Sequence, residues 1–163
     1  MATAITEQIA AIVATRLAAI STGSGYETTV SGGVIRPTRL GGFQPKDYQI
    51  VFKQGDQEPM TEHDHPGNPP AVAWKVPFLI RGVLRTSELT STAEDTLKNE
   101  FEADVRKSLA AGVAWWNFSG LAIDSGISGA EPYVSDDGTE SGFQVTLDVT
   151  YRVSENDPYV SRT

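Results

Sequence analysis

The chain has no cysteine among its 163 residues and only two histidines, His63 and His65. No disulfide or thiolate chemistry is open to it, and any metal would need oxygen or imidazole ligands. Basic residues are also scarce, with 13 Lys and Arg against 21 Asp and Glu, a formal net charge of −8. Tight nucleic-acid binding draws on Lys and Arg to neutralise phosphates, so this balance argues against it. No run reaches the roughly 18 apolar residues of a membrane span. The opening segment carries Glu7 early and Arg16 late, the reverse of a basic-then-apolar leader. These features predict a protein made in the cytoplasm. The nucleophile and nucleotide signatures are missing too: there is no G-x-S-x-G, no H-E-x-x-H and no P-loop.

What is present is ordinary globular material, 39% hydrophobic and 21% charged. Ile5, Ile9, Ile12, Val13, Leu17 and Ile20 recur at helical spacing, which predicts an amphipathic helix over 4–20 with Thr3 as its N-cap. Glycines and prolines punctuate 23–47 as short strands and turns. Tyr48, Ile50 and Phe52 alternate, and so do Val72, Trp74, Val76, Phe78 and Ile80, as in strands. Pro77 lacks an N–H, which points to an edge or a bulge there. Ser91 and Glu94 form a capping box ahead of Leu97, Phe101, Val105 and Leu109, so a second helix is expected over 91–111. Glu100, Glu102 and Asp104 fall on its expected wet face. The stretch 113–126 reads as strand-like. Strict alternation from Phe143 to Val153 marks a strand with one buried and one wet face. The pattern predicts one α+β domain over 1–163, a mostly antiparallel sheet packed by two helices.

Residues 54–70 are polar and rich in Pro and Gly. They read as a long loop, mobile in the free subunit. Within it, Glu62, His63, Asp64 and His65 are a possible metal or hydrolase site. A closed zinc site needs three or four protein ligands, no third ligand is specified here, and a solvated polar loop is the simpler account of this segment. Asp136 and Asp137 can be read as paired carboxylates, but their place before Gly138 is what a hairpin turn demands. No catalytic residue, metal or cofactor is expected.

Two features point to assembly. Trp115 and Trp116 are adjacent, so on an extended chain they face opposite ways and one of them can serve as an interface anchor. Charge is also split along the chain. Arg36, Arg39, Lys46 and Lys53 cluster against one acid, whereas residues 119–163 hold eight acids against Arg152 and Arg162. A head-to-tail contact between copies could pair Arg36, Arg39 or Lys46 with Asp136, Asp137 or Glu140.

In order, the elements resemble the tail-terminator proteins of long-tailed bacteriophages, the family of the lambda-type minor tail protein U. The resemblance lies in the opening helix followed by Gly25-Tyr26, in Val34 to Pro37, and in the closing strand with its trailing turn, Tyr151 to Tyr159. It implies a small α+β fold that assembles into a ring, typically a hexamer, on the end of a completed tail tube. Such a ring stops tube polymerisation and offers the surface to which the filled head joins. The implied partners are further copies of the chain, the tail tube protein and a head–tail connector or neck protein. Genomic DNA would pass the lumen without specific binding, and no membrane is involved. The implied location is the head-proximal end of the virion tail, with the host cytoplasm as the place of assembly. Monomeric adaptor modules of a phage neck share the general pattern and are the alternative.

Overall fold

The structure, a computed structural model, describes residues 3–31, 33–36, 48–85, 91–110, 117–136 and 140–162. Trp115, Trp116, Arg39, Lys46 and Asp137 lie outside them. Two helices, α1 (Ile5–Ala18) and α2 (Ser91–Ala110), pack on one face of a seven-stranded sheet. The strands are β1 (Val34–Ile35), β2 (Gln49–Gln54), β3 (Glu58–Pro59), β4 (Ala71–Arg85), β5 (Asp124–Val134), β6 (Glu140–Ser154) and β7 (Asp157–Ser161). The main order is β1-β2-β4-β6-β5, with β3 beside β4 and β7 beside β6. Only the β1–β2 pair is parallel. The expected single α+β domain, a mostly antiparallel sheet with two helices, is what the chain forms.

The frame is the ribbon of β4 and β6, paired without interruption from Ala71↔Ser154 to Arg85↔Glu140. Its period of two sends Val76, Phe78, Ile80 and Leu84 of β4, and Phe143 through Val153 of β6, towards the helices. Ile9, Val13 and Leu17 of α1 and Phe101, Val105 and Leu109 of α2 meet them, all essentially fully buried. The Phe101 ring stands edge-on between Tyr48 (centroids 5.4 Å apart) and Phe143 (5.3 Å). The space for this stack comes from Gly82, where a β-carbon would lie 2.4 Å from Phe143 and 2.9 Å from Phe101. Gly142 is equally constrained, because a β-carbon there would meet the Gly82 carbonyl at 1.9 Å.

Several local expectations are corrected. The N-cap of α1 is Ala4, with no side-chain cap bond; Thr3 instead offers its carbonyl to the Gln8 side chain at 2.7 Å. β4 is a central strand, not an edge. Pro77 is tolerated because β2 ends opposite Phe78 and β3 starts opposite Lys75, leaving a gap in the partner chain. The Pro77 carbonyl accepts from Gly55 across that gap at 2.8 Å, and the missing N–H would point the same way.

The described part of 113–126 is not simply a strand. Phe118–Gly120 is a 3-10 turn with Phe118, Ser119 and Gly120 at positive φ, and β5 begins only at Asp124. Residues 54–70 hold more structure than their composition announces. They contain β3, a 3-10 turn at Thr61–His63, and a bridge from His65 to Ala71, which together make an irregular hairpin against β4.

Asp104 is not on a wet face. It is 3% exposed and accepts from both the backbone N–H and the hydroxyl of Thr28, each at 2.7 Å. A carboxylate with two donors replaces its lost hydration and ties the 25–30 segment to α2. Near the C-terminal ends of the two helices, Ser108 donates to the Arg16 carbonyl at 2.6 Å and Arg16 donates to the Leu109 carbonyl at 3.1 Å.

Candidate interaction surfaces

The sheet face away from the helices is polar along β6, where Gln144, Thr146, Asp148, Thr150 and Arg152 alternate with the buried residues. Val51 and Val83, on the same side, are buried. Lys75 reaches Asp148 at 3.4 Å, and Asp148 also accepts from Ser128 at 2.9 Å. Arg81 donates to Gln144 at 3.0 Å and stacks over Tyr133, 4.3 Å from the ring centroid. Where the 55–57 segment meets β6, the Tyr151 hydroxyl donates to Gln57 at 2.6 Å, and burial pushes its pKa up to about 12.

The segment 62–65 does not converge on one point. Asp64 accepts from the Ala73 backbone N–H at 2.8 Å. His63 gives its carbonyl to Arg152 and lines a cavity of about 320 Å³ with Lys75, Asp124 and Asp148. His65 lines a different cleft, and its Nδ1 lies 2.8 Å from the Pro66 carbonyl, where it must be the donor. Among the described residues no group of three or more His, Asp or Glu side chains is arranged to hold a metal ion.

Of the expected interface residues, Arg36, Asp136 and Glu140 are described. The Arg36 guanidinium forks onto Glu7 of its own chain, and it lies 5.2 Å from the Phe52 ring centroid. The hydrogen bond from Arg36, reinforced by its charge, holds the Glu7 carboxyl below the usual carboxylate range. This cation is therefore engaged inside the chain. Asp136 follows the end of β5 and Glu140 opens β6, and both line a hollow of about 440 Å³ with Tyr133, Val134 and Ser135.

The arginines of the acidic C-terminal third come together at the opposite end of β6. Arg152 and Arg162 line one cleft of about 490 Å³ with His65 and the 66–69 turn. The Arg162 N–H donates to the Arg152 carbonyl at 3.2 Å, which sets the two side by side. Among the described residues neither guanidinium forms an ion pair. This cleft was not expected from the sequence. The available signal was two arginines on either side of the Glu155-Asn156 turn, in a region otherwise acidic.

Among the described residues, the three large apolar side chains that stand well exposed also lie at these two ends. Val134 (64% exposed) is beside Asp136; Tyr159 (48%) and Val160 (43%) are beside Arg162. Among the described residues no helix is long and apolar enough to cross a membrane. The chain matches no protein-family model, and no curated protein matches it.

Proposed function

We propose that the chain is a structural subunit of a bacteriophage tail, a terminator that forms a ring, in the simplest case hexameric, on the finished tail tube. In this reading the ring stops tube polymerisation and presents the surface to which the filled head joins. Its partners are other copies of itself, the tube protein and a connector or neck protein. It works in the virion after assembly in the host cytoplasm. The reading assigns it no catalytic residue, metal or cofactor.

The observation that carries the proposal is the placing of the exposed apolar residues. A ring needs two different patches per subunit that fit head to tail. Val134 lies at one end of β5, and Tyr159 and Val160 lie on β7 beyond its other end. Two further features support it. The small α+β architecture is the one the resemblance implies, and the acidic excess suits a channel that DNA must pass without sticking.

The test is electron microscopy of particles made by the encoding virus with this gene silenced. Tails of uncontrolled length without heads are expected. Tails of normal length joined to heads would overturn the proposal.

A further inference from the structure

Among the described residues, the edge of the sheet opposite β1 is built from two strands in line. β5 pairs with β6 from Ser141 to Thr150, and β7 takes over at Val153 and Ser154, both on the side away from β4. The two ends of this edge differ. At the β5 end, Val134 projects beside Asp136, with Glu131 exposed on the same strand. At the β7 end, Tyr159 and Val160 project beside the cleft of Arg152, Arg162 and His65.

Each end therefore joins an exposed apolar patch to charge, and the charges are opposite. The acids nearest the cleft do not cancel it. Asp157 accepts from the Tyr159 N–H at 3.0 Å, and neither Asp157 nor Glu155 lines the cleft. Among the described residues Arg162 has no ion-pair partner, and a guanidinium lining a cleft is suited to a carboxylate, which it can bind through two parallel bonds.

We infer that the Arg152–Arg162 cleft is the receptor for the Val134–Asp136 end of β5 in a second copy of this chain, with Val134 packing on Tyr159 and Val160 and Asp136 meeting Arg162. This rests on the ring reading for its biological setting, but it makes a separate claim about which surfaces meet. The two ends cannot meet within one chain. Val134 is paired with Ser141 and Ser161 with Val153. Twelve residues of strand between those positions put the ends roughly 40 Å apart. The contact is heterologous, so it propagates from copy to copy until it closes.

The absence of cysteine makes a clean test available, because any disulfide can only join introduced residues. Two full-length variants, Val134→Cys and Val160→Cys, are oxidised alone and as an equimolar mixture, after thermal melting shows both fold as the parent does. The mixed 134–160 disulfide is expected in at least tenfold excess over either homodimer. Adding Arg162→Glu to the Val160→Cys chain is expected to lower that yield at least tenfold. Adding Asp136→Arg to the partner is expected to restore it. A statistical mixture, a dominant 134–134 or 160–160 product, no cross-link, or a yield indifferent to the charge reversal would each overturn the inference. The double variant Val134→Cys/Val160→Cys separates this claim from the ring. A ladder of open chains with no closed species would sustain the contact and count against the ring, whereas closed rings insensitive to Arg162→Glu would do the reverse.

Discussion

The two faces of the β4–β6 ribbon do different work, though they share one backbone. On the helix side every second residue of β6 from Phe143 to Val153 is buried, and aliphatic and aromatic side chains fill the space. On the other side the same strand carries Gln144, Asp148 and Arg152, with partners drawn from β4, β5 and the Thr61–His63 turn. A period of two separates the apolar packing from a polar face. Residues on the first side make the core, and those of β6 on the second side are polar and bonded to their neighbours.

The sharpest way to test this division is to remove its centre. Phe101→Ala takes out the ring between Tyr48 and Phe143 and is expected to cost about 3–5 kcal/mol, read as a lowered denaturant midpoint. A loss below about 1 kcal/mol would mean that the helix layer is not the principal source of stability.

Asp104→Ala should come next. It strands the Thr28 N–H and hydroxyl in a buried site, for an expected loss of about 1–3 kcal/mol in the same measurement. This variant sharpens the comparison, because Asp104 is a polar residue on the apolar side of the molecule. If it proved neutral, its burial would be incidental.

The smallest effect belongs to the other face. Removing the half-exposed Lys75–Asp148 pair with Lys75→Ala should change stability by only about 0–1 kcal/mol, and less at high salt. A cost near that of Phe101→Ala would break the division outright.

The sequence made this architecture readable where one physical rule dominated. Helical spacing located α1 and α2, and strict alternation located β4 and β6, because burial on one side imposes a period on the chain. β5 escaped because an edge strand need not bury much. Its residues Asp124 to Glu131 are mostly Gly, Ser and acids, with a bulge between Ser128 and Glu131 that breaks the period. Pro77 misled because the rule that keeps proline at edges concerns one missing hydrogen bond, and a local gap in the neighbouring chain satisfies it within a central strand. Asp104 and the arginine cleft were hidden for another reason. Their partners are distant in sequence, Thr28 for Asp104 and His63 for Arg152, and no local pattern announces a contact across 76 or 89 positions. Charge runs likewise do not reveal that Arg36 forks onto Glu7 of its own chain, 29 positions away, while Arg39 and Lys46 lie outside the described residues.

We propose that this chain closes head to tail into a ring on the end of a tail tube. A reconstruction of the head–tail joint in an intact particle tests it most directly. The expected result is a cyclic ring of this chain at the end of the tube, with the Val134 end of each subunit seated on the Tyr159–Val160 end of the next. A joint that lacks the chain, or holds it without cyclic symmetry, would contradict the account.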